Sequence, residues 1–141
     1  RGGVDAGAAA LVEDRLPRGI DDFETYLVGN EIFRNRSQGI GILTYDEAIN
    51  YSVAGPNLRA SGVKYDLRKA DPYSIYNRFD FEIPVGTRGD VYDRFVVRLA
   101  EMRESLKILR QALKEIPQEV DLRFVVFLMG NLSYAQIISC R

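Results

Sequence analysis

Between Gly55 and Lys69 the chain reads Gly-Pro-Asn-Leu-Arg-Ala-Ser-Gly-Val-Lys-Tyr-Asp-Leu-Arg-Lys, a block of polar residues set between glycine breaks. Arg59 and Arg68 carry planar guanidinium forks that suit bidentate contact with carboxylates, and Asp66 is the nearest candidate partner. Two arrangements fit that chemistry. One is an anion-facing or cofactor-adjacent loop; the other is an ion-pair network that ties the loop to neighbouring helices. The network is the favoured reading, because structural ion pairs perturb charged residues as readily as active sites do.

Two further groupings invite a chemical reading. Tyr65, Tyr73, Tyr76 and Phe79 are interleaved with Arg68, Lys69 and Arg78, the alternation of stacking and basic groups used by single-strand nucleic-acid binders. Asp66, Asp71 and Asp80 dilute that charge, so tyrosines anchoring a loop are preferred and no nucleic-acid partner is expected. Farther on, Arg94, Arg98, Arg103, Lys107, Arg110 and Lys114 alternate with Asp93, Glu101, Glu104 and Glu115. Mixed charges of this kind make a solvated or interface face, with Asp90 and Arg94 spaced for an i,i+4 pair; a proton path is the sharper alternative.

Composition removes other chemistries. The 141 residues contain no His and one Cys, Cys140. Without imidazole there is no Ser-His-Asp or Cys-His pair, and one thiol cannot supply the ligands of an iron–sulfur cluster or a structural zinc site. Nineteen basic against 20 acidic residues leave a net charge of −1, which gives no basic footprint for nucleic acid. The longest apolar run, 124–129, is far short of the ~20 residues of a membrane span. The N-terminus lacks both Met and a signal pattern, so the expectation is a chain that starts partway through a longer protein.

The elements that must position these residues follow from periodicity. Residues 6–11 read as a short helical turn. Leu16, Ile20, Phe23 and Leu27 mark an amphipathic helix with one buried stripe, stopped by Gly29-Asn30. Asn30 is suited to cap a helix from Glu31 to about Ser37, with Ile32 and Phe33 turned inward. Residues 39–43 read as a brief strand or extended turn whose glycines lack the rest of a nucleotide loop. Thr44 and Glu47 form a capping box that opens a helix to about Tyr51. Phe79, Phe81 and Ile83 alternate with Asp80 and Glu82 as in a half-buried strand.

From about 89 to 116, Val91, Phe95, Leu99, Met102, Leu106, Leu109, Leu113 and Ile116 recur at steps of three and four, the stripe of a long helix packed along a partner helix, with Met102 in the core. Asp90 and Asp93 lie in its first turn and Lys114 in its last, as the helix dipole prefers. Gly130-Asn131, between two apolar runs, reads as a hairpin or a short buried helix. The fold class expected is mainly α, with short β strands.

The ordered series Gly55-Pro56-Asn57-Leu58-Arg59-Ala60-Ser61-Gly62-Val63, Tyr65-Asp66-Leu67-Arg68-Lys69, Pro72-Tyr73-Ser74-Ile75-Tyr76, Phe79-Asp80-Phe81, Pro84-Val85-Gly86, Gly89-Asp90, Tyr92-Asp93-Arg94 and Glu101-Met102-Arg103-Glu104-Ser105 resembles the D subunit of NADH-quinone oxidoreductase, the quinone-site core subunit of respiratory complex I. The resemblance runs from about residue 16 to 117 and implies the middle of a longer chain. It divides the sequence into a partial core of that family, 1–117, and a divergent tail, 118–141, where the apolar run 124–138 departs from the family pattern.

The resemblance implies a fold similar to the large subunit of nickel–iron hydrogenases. It implies a complex that passes electrons from NADH through FMN and iron–sulfur clusters to quinone, coupled to proton translocation, with none of these cofactors held by this chain. The implied partners are the other peripheral-arm subunits, above all the cluster-bearing neighbour at the quinone site, and quinone itself. The implied location is peripheral, on the cytoplasmic side of a bacterial inner membrane or the matrix side of the mitochondrial one. The family's quinone-contacting His and Tyr lie upstream of the matched stretch, so no catalytic residue is expected here. Arg59, Asp66, Arg68, Asp90 and Arg94 are motif positions inferred to be structural or interface residues framing the quinone cavity. The alternatives are a large-subunit fragment of a membrane-bound hydrogenase or formate hydrogenlyase relative, and a stand-alone helical interaction module docking through the long helix.

Overall fold

A computed structural model describes residues 6–115 and shows a mainly α-helical chain. The N-terminal stretch is one run of helical turns in which α-helix and wide π turns alternate. It comprises α1 (Ala6–Ala10), a π segment (Leu11–Arg15), α2 (Leu16–Phe23) and a second π segment (Glu24–Val28). Pro17, which has no amide to donate and whose ring crowds the turn before it, follows directly on the first wide turn. Asn30 then caps α3 (Glu31–Ser37) by accepting from the amides of Ile32 at 2.9 Å and Phe33 at 3.2 Å. Thr44 opens α4 (Tyr45–Asn50) through the expected capping box: its amide and hydroxyl donate to Glu47 Oε2, and its Oγ1 accepts from the Glu47 amide. Two short helices follow, α5 (Gly55–Ala60) and α6 (Leu67–Ala70), then a 3₁₀ turn (Tyr76–Arg78) and the long α7 (Val91–Glu115).

The long helix organises everything else, though its contacts differ from those the stripe implied. Leu106 packs with Val12 and Ile20 of the N-terminal helical run, joined by Leu109 and Leu113. Ile108, on another face of the same helix, packs with Phe79 and Phe81, joined by Tyr76 and Ala112. Phe33 of α3 meets Phe95 edge-on at 5.1 Å. The apolar residues of α7 are therefore shared among three neighbours. Met102, expected in the core, is 46% exposed, because the N-terminal run covers only part of that face. Ile32 is 67% exposed rather than turned inward, and Phe23 and Leu16 of the expected stripe are also exposed; Ile20 alone of that set is buried.

The alternation at 79–83 was legible but its partner was not. Phe79 and Phe81 are buried while Asp80 and Glu82 face out, as a half-buried strand requires. Yet no strand pairs with them, and the described residues contain none. The backbone is satisfied instead by side chains of α7. Gln111 accepts from the Asp80 amide at 2.8 Å and donates to the Asp80 carbonyl at 2.7 Å, and Glu104 accepts from the Glu82 amide at 2.7 Å. A segment with strand patterning needs donors and acceptors, and a helix bearing Gln and Glu supplies them. Residues 39–43 are likewise turn and extended backbone. Among the described residues no helix is long and apolar enough to cross a membrane. The hairpin expectation at 130–131, Ile116 and Cys140 lie outside the described residues.

Candidate functional site

Helix α5 carries Arg59 at its buried end, and α6 starts at Asp66, whose backbone is extended and whose carboxylate caps the helix. The turn between them folds the two side chains toward each other. Arg59 donates through Nε to Glu101 of α7 and through Nη1 to the Tyr65 carbonyl at 3.0 Å, with Nη1 3.8 Å from Asp66 Oδ2. Asp66 is gripped by Arg68: Oδ1 accepts from the Arg68 amide and Nε, each at 3.0 Å, and Oδ2 accepts from Nη2 at 2.7 Å. One residue therefore supplies both the cap bond and the fork.

Aromatic rings close this cluster on its other side. The Arg68 guanidinium lies 4.9 Å from the centroid of Phe81 and 5.8 Å from that of Tyr76, and Lys69 Nζ lies 4.8 Å from Phe81. Phe81 is fully buried beneath these two cations. Tyr73, Tyr76 and Phe79 follow edge to face. Burial pushes the Asp66 carboxyl up, but the side-chain and backbone hydrogen bonds from Arg68, with the Arg68 and Arg59 charges, hold it below the usual carboxylate range. The hydrogen bond to Asp66 raises Arg68 further, and burial raises the Tyr76 hydroxyl.

A second constellation sits where α7 begins. Asp90 is fully buried. Its Oδ1 accepts from the Asp93 amide at 2.7 Å, capping the helix, and its Oδ2 accepts from the Gly39 amide at 2.9 Å across 51 residues of sequence. Burial opposes its ionisation, yet the Gly39 and Asp93 hydrogen bonds, with Arg88 and Arg94 nearby, leave its carboxyl below the ordinary range. Asp93, also buried, folds the chain just ahead of it by accepting from the amides of Thr87 at 2.9 Å and Arg88 at 2.7 Å. The anticipated Asp90–Arg94 ion pair does not form. Arg94 donates instead to the carbonyls of Gly89 at 3.1 Å and Gly41 at 2.7 Å.

Two glycines make these approaches possible. Gly89 has φ +66°, and a Cβ there would overlap the Leu43 carbonyl oxygen. At Gly86 a Cβ would fall 2.8 Å from the Ala60 carbonyl oxygen. Through them the 84–90 loop, the 39–43 loop and the end of α5 share one hydrogen-bonded junction. In it Leu43 and Gly89 are joined amide to carbonyl at 2.9 Å, and Ser61 Oγ donates to the Leu43 carbonyl at 2.8 Å.

The five residues singled out from sequence thus fall into two groups. Arg59, Asp66 and Arg68 are brought together, as are Asp90 and Arg94, the latter through backbone carbonyls rather than each other. Glu101 and Asp93 were placed by spacing on a solvated face and in a first helical turn, yet both are central. Spacing carries no signal for Glu101, whose partner is 42 residues away; its one sequence signal is its place in the Glu101–Ser105 motif of the family series. Asp93 likewise stands in the Tyr92–Arg94 motif, three residues after Asp90 beside a Gly-rich loop. Chemically, carboxylates held ionised and occupied by internal donors brace backbone and are ill-suited to exchange protons near neutral pH. Among the described residues no group of three or more His, Cys, Asp or Glu side chains could hold a metal ion, so the described residues do not fit a cluster or metal centre.

The profile of the family described as "Respiratory-chain NADH dehydrogenase, 49 Kd subunit" matches residues 6–126, beginning earlier and ending later than the motif series. The chain is 52% identical over 111 residues to the NADH-quinone oxidoreductase D subunit of Dehalococcoides mccartyi, covering 79% of this chain and 30% of the relative. It is 59% identical over 102 residues to the NADH-quinone oxidoreductase D subunit 2 of Herpetosiphon aurantiacus, covering 72% of this chain and 28% of the relative. With the corresponding D subunit of Bacillus thuringiensis it shares 60% identity over 91 residues, 64% of this chain and 25% of the relative. The chain spans about 30% or less of the length of these relatives.

Proposed function

Because the chain belongs to the family of the 49 kDa subunit of respiratory-chain NADH dehydrogenase, we propose that it is a framework portion of the D subunit of an NADH-quinone oxidoreductase. In this reading it frames the site where electrons pass from an iron–sulfur cluster of a neighbouring subunit to quinone, a reaction coupled to proton translocation. NADH, FMN, the clusters and quinone belong to the surrounding complex. The chain sits peripherally against the membrane arm, on the cytoplasmic or matrix side. The single observation that carries the reading is the family match over 6–126, with 50–60% identity to D subunits of NADH-quinone oxidoreductases.

What the residues contribute is rigidity. Arg59 locks the turn after α5 to the middle of α7, Asp66 and Arg68 lock that turn onto the Phe81 segment, and Asp90 with Arg94 locks the start of α7 to the 39–43 loop. Each lock joins separate segments of the chain by charge-assisted or cation–π contacts, the Arg59 and Asp90 bonds partly shielded from solvent. A redox site borrowed from a neighbouring subunit needs such a fixed wall, since small misplacements of the walls of a site cost rate.

The test is Arg59→Ala in the full-length protein, expressed with the other subunits of the oxidoreductase. The framework reading expects assembly on a native gel and NADH:quinone turnover to fall together. An assembled complex that has lost turnover alone would make Arg59 a group acting on the reacting molecules, and unchanged assembly and turnover would remove it from the framework.

A further inference from the structure

The N-terminal helical run and α7 meet in two antiparallel ladders that count differently on their two sides. On α7, Arg103 and Arg110 are seven residues apart. Arg103 meets Asp21 at 3.0 Å, and Arg110 Nε lies 3.4 Å from Glu13 Oε2. Asp21 and Glu13 are eight residues apart, and Glu24, three further on, shares Arg103. The apolar contacts beside them repeat the count. Val12 and Ile20, also eight apart, enter one cluster with Leu106, joined by Leu109 and Leu113.

A regular α-helix cannot serve both sides. Seven α-helical residues turn through about 700°, within about 20° of two full turns, so α7 carries both arginines on one face. Eight turn through about 800°, which leaves the second side chain about 80° away from that face. The excess is one residue, and the π segment Leu11–Arg15, whose wider turn holds one residue more, falls within both intervals. Inside it Val12 alone is buried, while Leu11, Glu13 and Asp14 on either side are exposed. Pro17 is the rival cause of the wide turn. A missing amide and a crowding ring loosen a helix, but they do not explain why an apolar pair and a charged pair exceed the α7 spacing by the same single residue.

We infer that the Leu11–Arg15 turn is a register device: it carries one surplus residue that keeps the N-terminal run in step with α7. The contacts on α7 hold the turn wide, and Pro17 is not required for it. The surplus residue also rotates the chain that precedes it by about 100° relative to an uninterrupted α-helix, so this one residue sets how that chain is aimed.

The test is made in the full-length protein expressed with the other subunits. Leu106→Cys is combined in turn with Leu11→Cys, Val12→Cys or Glu13→Cys, and the disulfide formed on oxidation is identified by peptide mapping, since only Cα atoms within about 7 Å can be bridged without moving backbone. Position 12 is expected to give the largest yield. Pro17→Ala leaves the maximum at 12; a shift to 13, the residue seven before Ile20, overturns the register device and assigns the turn to the proline. Asp14 is exposed and pairs only with exposed Arg18, so its loss as a side chain matters little. Its deletion in the Pro17→Ala background removes the surplus residue, and the maximum stays at 12 with assembly on a native gel unchanged. A shift to 11, which would preserve the eight-residue interval, or loss of the assembled complex overturns the proposal. An alanine inserted after Asp14 moves the maximum to 13, and a maximum that remained at 12 would count equally against it.

Discussion

Helix α7 is held at its two ends by different physics. Its N-terminal half sits in the glycine junction, where buried Asp90, Asp93 and Arg59 make charge-assisted bonds and two glycines admit backbone at van der Waals limits. Its C-terminal half rests on the N-terminal helical run through a three-residue apolar cluster, flanked by the exposed pairs of Arg103 with Asp21 and Glu24 and of Arg110 with Glu13. The first contact tolerates almost no substitution, because atoms already touch and buried charges have no water to fall back on. The second is a matter of apolar area, which many side chains supply.

The sharpest way to break that contrast is Gly89→Val. Left-handed strain and overlap with Leu43 together cost about 4 kcal/mol or more, so the chain is expected to lose its cooperative urea transition. Survival of a normal transition would show that the junction relaxes freely. Arg59→Ala strands Glu101 and leaves the Tyr65 carbonyl without its donor, and should cost about 3 kcal/mol, with Arg59→Lys recovering little, because one ammonium cannot serve Glu101 and the Tyr65 carbonyl in the same geometry. Leu106→Ala, in the looser half, is expected nearer to 2 kcal/mol by the same measurement, since half-open surroundings collapse into the space. If Leu106→Ala proved costlier than Arg59→Ala, the ranking of the two halves would be reversed.

Acidity discriminates the halves as well. Asp66 and Asp90 have depressed folded-state pKa values, so the unfolded chain binds more protons than the folded one as pH drops through the carboxylate range. The stability they contribute is complete above about pH 5 and drains away as pH falls below about 4. The destabilisation caused by Asp90→Asn is therefore smaller at low pH than at neutral pH, and a gap from the parent that does not narrow on acidification would contradict the assignment. The smallest effect belongs to Arg103→Ala, whose partners are solvent-exposed. A loss of about 0.5 kcal/mol that vanishes in high salt is expected in the melting profile.

Many large apolar side chains among the described residues are exposed, among them Tyr26, Ile32, Ile42 and Tyr51. Local features were the most legible. The Asn30 cap, the Thr44–Glu47 box and the start of α7 each depend on residues within a few positions of one another, and all stand where spacing put them. The strand reading at 79–83 captured which side chains point inward and missed what satisfies the backbone, because a period of two reports a face and says nothing about the partner. The stripe of α7 failed at Val91 and Met102, both exposed, for a related reason: periodicity assumes one covering neighbour, and here three share the work.

Family, helical class and the local start and stop of the capped helices are written in the chain alone, since caps, breakers and motif order act over short ranges of it. Three-dimensional packing was needed to settle that Glu101 answers Arg59, that Arg94 serves carbonyls rather than Asp90, and that Gly89 must lack a side chain. Such facts belong to atoms brought together from as far as 42 to 53 residues apart, and a contact across that separation leaves no periodic trace in the chain that makes it.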